Sequence, residues 1–227
     1  MKAVILISGN GSNLQSIIDH ADKIDLQISA VISNRDNAFG LQRAQSANIN
    51  TYFIDSKIFN SRYAFDNELI SVINKLDVEL IILAGYMRIL SPLFINHFSG
   101  KILNIHPSLL PKYPGLNTHQ RAIDACDKEH GATVHFVTEK LDEGPIISQE
   151  TVQVDTTDTE KSLAEKVLER EHILYPKVIH WYTQRRLKLI NEVTATLDGK
   201  KYEENYFLIL KLDFCQLSSS LSLYRKV

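Results

Sequence analysis

Short apolar runs alternate with amphipathic stripes along the first half of the chain. The runs are mostly aliphatic, which is typical of strands buried on both faces of a parallel sheet, and they occupy residues 3–7, 28–32, 78–84 and 101–105. Between the first two runs, Leu14, Ile17 and Ile18 recur at helical spacing, and Phe65, Leu69 and Val72 do so before the third. This alternation predicts an α/β fold with a doubly wound, mainly parallel sheet.

The pattern changes in the second half of the chain. Residues 131–138 and 145–154 both resemble strands, and no helix separates them, so we expect the sheet to become antiparallel toward one edge. A long helical stripe then covers residues 159–185, and Asp198-Gly199 predicts a hairpin turn. We therefore predict one domain over residues 1–190, followed by a C-terminal hairpin and tail over residues 191–227. No function is assigned to the tail.

Candidate chemistry first appears at the end of the fourth apolar run. Asn104 and His106 interrupt the run two positions apart, so their side chains project to the same side of a strand. Its carboxyl end is where open α/β sheets place their ligands. A third polar group, Asp142, lies in a later turn-like stretch. An amide, an imidazole and a carboxylate can together polarise a carbonyl, hold an oxyanion and move a proton. We prefer this interpretation to a histidine that only stabilises a loop.

The loop after the first apolar run is rich in small residues. Residues 8–13 read Ser-Gly-Asn-Gly-Ser-Asn and precede the first amphipathic stripe. Backbone N–H groups at such a helix start form an anion site. The loop lacks the Gly-Lys-Ser/Thr ending of a Walker motif and the third glycine of a dinucleotide fingerprint. With three side-chain donors beside the glycines, the loop favours a phosphate site over a simple turn.

Composition and charge argue against several classes of protein. The formal net charge is −2 and no large basic block occurs, so extended nucleic-acid binding has no electrostatic support. The two cysteines, Cys126 and Cys215, have neither metal-ligand nor disulfide-framework spacing, which fits a reducing compartment. No apolar run approaches the ~20 residues that a membrane span requires. We expect a cytoplasmic protein that does not contact membranes.

Four stretches carry a resemblance to a known family. The sequence LNIHPSLLPKYPG at 103–115 is similar to the central motif of the folate-dependent formyltransferases. Three more stretches resemble the same family: ISGNGSNLQ at 7–15, LAGYMRILSP at 83–92 and EKLDEGPII at 139–147. The likeness extends from residue 1 to about residue 200. It implies a formyltransferase-like, Rossmann-related fold, with 10-formyltetrahydrofolate as the formyl donor and no metal.

The resemblance also implies roles for individual residues. Asn104, His106 and Asp142 match the family's catalytic set. The ribonucleotide site corresponds to Gly11, Ser12 and Asn13 around the phosphate and to Glu171 at the ribose hydroxyls. The folate site corresponds to a larger group, which comprises Arg62, Met87, Arg88, Ile89, Leu90, Asn104, Thr138, Glu139, Lys140, Leu141 and Asp142.

Three branches of the family differ in the formyl acceptor. The overall match implies transfer to the amine of 5′-phosphoribosylglycinamide in purine synthesis, by a protein that binds small molecules as a monomer or homodimer. Formyltetrahydrofolate deformylase usually carries an additional N-terminal domain, and methionyl-tRNA formyltransferase a basic C-terminal one. Both stay as alternatives, the second the less favoured. One departure is Asn117, where some relatives have histidine, so an accessory role of that histidine cannot be transferred.

Overall fold

A computed structural model describes residues 1–190 and 194–201. The predicted tail beyond residue 201 lies outside the described residues, and the division of the chain at residue 190 stays a prediction. The strands and helices follow the predicted order, with ends that shift by a few residues. They are β1 Lys2–Ile7, α1 Ser12–His20, β2 Gln27–Ser33, α2 Phe39–Ser46, β3 Thr51–Phe53, α3 Arg62–Lys75, β4 Leu80–Leu83, α4 Pro92–His97, β5 Ile102–His106, α5 Thr118–Asp124, β6 Glu129–Phe136, β7 Ile146–Gln153, α6 Glu160–Thr183, β8 Leu187–Ile190, β9 Thr194–Leu197 and β10 Lys200–Lys201.

The main sheet has seven strands in the order β3-β2-β1-β4-β5-β6-β7. Strands β1 to β5 pair in parallel, whereas β6 pairs antiparallel with both β5 and β7. The predicted mainly parallel sheet with an antiparallel edge is therefore confirmed. Because β1, β4 and β5 are neighbours that run in the same direction, their carboxyl ends open on one crevice.

Alternate side chains of β1 pack into two hydrophobic cores, one on each face of the sheet. Ile5 and Ile7 pack with α1, α2 and α6 on one face. Val4 and Leu6 pack with α3 and α4 on the other. All four side chains are fully buried, which explains why the strand reads as a continuous apolar run.

Helix α6 packs on the sheet and contacts the strand ends that border the crevice. Its start is fixed by a reciprocal cap, in which Thr159 and Ser162 exchange side-chain and backbone hydrogen bonds. Further along, the buried Tyr175 hydroxyl lies 2.9 Å from the carbonyl of Leu83 and 3.0 Å from that of Leu103. These carbonyls belong to the last residue of β4 and to the residue before Asn104, so α6 fixes the end of the sheet that carries the candidate site.

A small antiparallel sheet, in the order β10-β9-β8, completes the described part of the chain. Asp198 and Gly199 connect β9 to β10, and both have positive φ (53° and 77°), as a two-residue hairpin turn requires. Across the described ranges, no helix is both long and apolar enough to span a bilayer.

Candidate active site

Strand β5 positions the two central side chains at its carboxyl end. Asn104 and His106 have the same orientation relative to the sheet, and β4 and β6 flank them on either side. The loop between β6 and β7 brings Asp142 to the same point. Gly144 makes this approach possible, because a Cβ atom there would lie 1.8 Å from the Phe136 carbonyl oxygen. The three predicted catalytic residues therefore meet in space.

His106 has an acceptor opposite each ring nitrogen. Its Nε2 lies 2.9 Å from the Tyr113 carbonyl oxygen, so this nitrogen carries a hydrogen and donates. Its Nδ1 lies 3.5 Å from Asp142 Oδ2, and the two side chains are only 7% and 8% exposed. A protonated imidazole can use both N–H groups in this position. The Asp142 contact is long for a hydrogen bond, so Nδ1 makes no short hydrogen bond to Asp142 that a ligand would have to break.

The segment that holds His106 also holds Asp142. Gly115 donates its backbone N–H to Asp142 Oδ2 at 2.9 Å, two residues after the carbonyl that accepts from His106. Asp142 itself has a left-handed backbone with φ of 54°. Aspartate adopts this conformation more readily than most non-glycine residues, which lets the loop turn at this position.

Sequence analysis assigned no role to His135, which completes the group. The antiparallel register places it directly opposite Asn104, with His135 Nε2 3.1 Å from Asn104 Nδ2. Its Nδ1 lies 2.8 Å from the Phe136 carbonyl, so Nδ1 donates and Nε2 accepts from the Asn104 amide. Burial lowers the pKa of His135 and favours this neutral form. The pairing of β5 with β6 was the signal that could have identified it.

A pocket opens beside these groups, and its wall combines apolar side chains with a few polar groups, as the walls of small-molecule sites do. Most of the predicted folate residues line it: Arg88, Ile89, Leu90, Asn104, Thr138, Glu139, Lys140, Leu141 and Asp142. Leu83, Tyr86, Ile95, His135 and Val137 add to its wall and were not predicted as site residues.

Two predicted folate residues lie elsewhere. Arg62 is the first residue of α3, and its guanidinium lies 6.0 Å from the Tyr63 ring centre. Met87 is 58% exposed, and its backbone N–H donates to Ser8 Oγ at 2.8 Å. Neither side chain lines the cavity, so their contact with folate stays a prediction.

The small-residue loop forms a helix start beside the same crevice. Gly11 is the N-cap of α1 and has φ of 76°, a conformation that glycine adopts at little cost. Two residues later, Asn13 Nδ2 donates to Glu171 Oε2 of α6 at 2.6 Å. The structure thus brings the predicted phosphate loop and the predicted ribose carboxylate together. Burial raises the pKa of Glu171 to about 7, although the Asn13 hydrogen bond opposes this shift.

Asn117, where some relatives have histidine, is the N-cap of α5. Its backbone is left-handed with φ of 57°, and its side chain makes no capping hydrogen bond. The next histidine along the chain, His119, has its Nδ1 3.2 Å from His130 Nε2. In the described ranges, no group of three or more histidine, cysteine or acidic side chains is placed to hold a metal ion.

The family follows from a comparison with known proteins. The model of a family described as formyl transferase matches residues 1–179, which is most of the chain. The chain therefore belongs to the formyl transferase family, and it is a formyltransferase enzyme.

Individual proteins of known name and structure are similar to most of this chain. The phosphoribosylglycinamide formyltransferase of Escherichia coli (strain K12) is 51% identical over 203 residues, which cover 88% of this chain and 95% of that protein. A solved structure of the phosphoribosylglycinamide formyltransferase from Coxiella burnetii has a TM-score of 0.86 at 48% identity, covering 89% of this chain and 96% of that one. The Homo sapiens trifunctional purine biosynthetic protein adenosine-3 is 42% identical over 180 residues, which are 78% of this chain and 18% of that protein. These likenesses confirm the formyltransferase-like fold.

Proposed function

We propose that this enzyme transfers the formyl group of 10-formyltetrahydrofolate to the amine of 5′-phosphoribosylglycinamide, a step of purine biosynthesis. The observation that carries the proposal is the meeting of Asn104, His106 and Asp142 beside this pocket. The names of the most similar relatives support the same substrates.

The two substrates are assigned to opposite sides of the reacting groups. The folate occupies the cavity, where Ile89, Leu90 and Leu141 offer apolar walls and Arg88 a positive charge. The ribonucleotide phosphate binds the backbone N–H groups of Gly11, Ser12 and Asn13 at the start of α1. Glu171 then accepts hydrogen bonds from the ribose hydroxyls, since a carboxyl group has acceptor sites for two neighbouring donors.

Transfer proceeds through a tetrahedral intermediate. The substrate amine attacks the formyl carbon, a C–N bond forms, and the carbonyl electron pair moves to oxygen. The Asn104 amide and the protonated His106 ring donate hydrogen bonds to this oxyanion. When the intermediate collapses, the bond from carbon to the folate nitrogen breaks. Asp142 relays the proton from the attacking amine to that nitrogen, directly or through water.

His135 and the segment 113–115 prepare this arrangement before substrate binds. His135 accepts one hydrogen of the Asn104 amide, which orients the other for the oxyanion. The Tyr113 carbonyl and the Gly115 N–H hold His106 and Asp142 in place. Groups that are oriented in advance need no reorganisation as charge develops.

Three further expectations accompany the proposal. The reaction requires no metal ion, the enzyme acts in the cytoplasm as a monomer or homodimer, and it binds no nucleic acid. The last of these rests on the net charge of −2, since tRNA binding depends on many cationic contacts.

An acceptor assay tests the proposal. Loss of formyl from 10-formyltetrahydrofolate should be slow alone, unaffected by methionyl-tRNA, and fast with phosphoribosylglycinamide. Rapid hydrolysis without an acceptor would instead favour the deformylase, and stimulation by methionyl-tRNA would favour the tRNA enzyme. Detection of the formylated ribonucleotide by mass spectrometry separates transfer from hydrolysis.

A further inference from the structure

Helix α2 supports the phosphate loop from behind. The Gly40 N–H donates to the Gly9 carbonyl at 3.1 Å. The two backbones touch, because a Cβ atom on Gly11 would lie 2.7 Å from Gly40 Cα. No side chain therefore separates the first turn of α2 from the loop.

Arg43, one turn further along α2, forms side-chain hydrogen bonds to the same loop. Its Nε donates to the Asn10 carbonyl at 2.9 Å, and Nη2 donates to Asn10 Oδ1 at 3.1 Å. Nη1 lies 3.3 Å from Gln15 Oε1 on α1, so one guanidinium joins the loop to the helix that follows it. The ring of Phe39 lies under this group, 4.9 Å from its central carbon.

We propose that Arg43 is a positioning residue for the phosphate of the acceptor, an inference that rests on the proposed ribonucleotide site. Loops of glycine and small residues have wide conformational freedom, and binding an anion requires that freedom to be lost. By holding both the carbonyl and the side chain of Asn10, Arg43 fixes the direction of the N–H groups that follow at Gly11, Ser12 and Asn13. It also adds a positive charge beside the loop.

The geometry requires arginine. The two bonds to Asn10 leave different nitrogens of one rigid, planar group, whereas the lysine ammonium is a point charge on a flexible stem. Arg43→Lys therefore keeps the charge but loses the paired contact, and Arg43→Gln loses both. Lys23→Gln is a matched control, since it removes one exposed positive charge three residues beyond the end of α1.

The test compares an acceptor that has a phosphate with one that lacks it. With phosphoribosylglycinamide, Arg43→Gln should raise KM by ~10-fold or more, as loss of a charge-assisted contact often does, and change kcat by less than ~2-fold. Arg43→Lys should raise KM by at least ~5-fold for the same reason. With the dephosphorylated riboside, kcat/KM should be the same in both variants and the parent enzyme. Lys23→Gln should match the parent throughout.

Ribose 5-phosphate titrated calorimetrically gives a readout that does not depend on formyl transfer. Both Arg43 variants should bind it more weakly by the factors seen in KM, with circular dichroism spectra at the assay temperature that match the parent enzyme. If the Arg43 variants do not fold, Asn10→Ala removes only the exposed side-chain acceptor and should raise KM by ~3-fold. Equal losses with both acceptors, or parent-like affinity for ribose 5-phosphate, would overturn the inference. Failure of the parent enzyme to formylate phosphoribosylglycinamide would overturn the proposed function instead.

Discussion

The proposed phosphate loop and the proposed catalytic centre are built in opposite ways. The loop is one short contiguous segment between β1 and α1, and it offers backbone N–H groups at a helix start. The catalytic centre offers side chains, and these come from β5, β6 and the loop after β6. Binding of a common group such as phosphate needs only local backbone geometry. Proton transfer and oxyanion stabilisation need titratable and amide side chains that the whole sheet must bring together.

The two kinds of site also differ in how their polar atoms are satisfied. In the catalytic centre, His106, His135 and Asp142 have partners at hydrogen-bond or ion-pair distance. On the substrate-binding sides, Asn13 Oδ1 and Arg88 Nε are buried and accept or donate no hydrogen bond within the described ranges. An unpaired buried polar atom costs about 1–3 kcal/mol. We expect bound substrate to supply the missing partners, whereas the catalytic groups are ordered beforehand.

Removing the catalytic side chains should have the largest effect. Asn104→Ala and His106→Ala should each lower kcat by ~10²-fold or more, because each removes a donor to the oxyanion. The KM values for both substrates should change much less. Steady-state kinetics measures this split, and near-normal turnover in either variant would remove that residue from the mechanism.

The buried carboxyl of Glu171 should make stability depend on pH. Burial raises its folded-state pKa from 4.5 to about 7, which corresponds to about 3 kcal/mol. Between these values the folded protein binds more protons than the unfolded one, so this contribution is complete below pH 4.5 and is lost as the pH rises through 7. Relative to Glu171→Gln, the parent enzyme should lose that amount over this range. Denaturant unfolding of both proteins without substrate measures it, and parallel curves would contradict the assignment.

A change in the loop should affect binding and leave the chemistry intact. Gly11→Val puts a branched side chain at a φ of 76° and against the Gly40 backbone, so the loop must distort and its N–H groups lose their direction toward the phosphate. We expect the KM for the ribonucleotide to rise by ~10-fold or more, as for the loss of charge-assisted hydrogen bonds. The KM for the folate should change little. A variant with a normal ribonucleotide KM would place the phosphate elsewhere.

Loss of His135 should lower turnover less than loss of Asn104 or His106 does. His135→Ala removes the acceptor that orients the Asn104 amide, and we expect kcat to fall by ~10-fold at most, since Asn104 itself remains. His135→Gln retains an acceptor and should recover part of the loss. Equal rates for the alanine and glutamine variants would show that orientation of the amide is not the role of His135.

The contrast between the two sites also explains what sequence could predict. The runs of β1 and β4 are apolar because both faces of the sheet are covered, so the parallel part of the fold could be predicted from the sequence. The proposed phosphate loop could be predicted from the sequence because all its parts are adjacent in the chain. Asn104 and His106 interrupt an apolar strand, which made them conspicuous.

Features that depend on register and side-chain direction could not be read in the same way. His135 acquires its role only through its pairing with Asn104, and a shift of one residue would turn it to the other face. Arg62 and Met87 were transferred from the resemblance, yet neither side chain is among those that line the cavity. The hydrogen bonds from Arg43 to Asn10 join residues of different elements, and no local sequence pattern predicts them.

The most direct test of the division between binding and chemistry is a single-turnover measurement of formyl transfer at saturating concentrations of both substrates. Saturation removes a defect in binding but leaves a defect in the chemical step. We predict that Gly11→Val then reacts at nearly the parent rate, whereas Asn104→Ala stays slower by ~10²-fold or more. Recovery of the parent rate by Asn104→Ala at saturation would contradict this account.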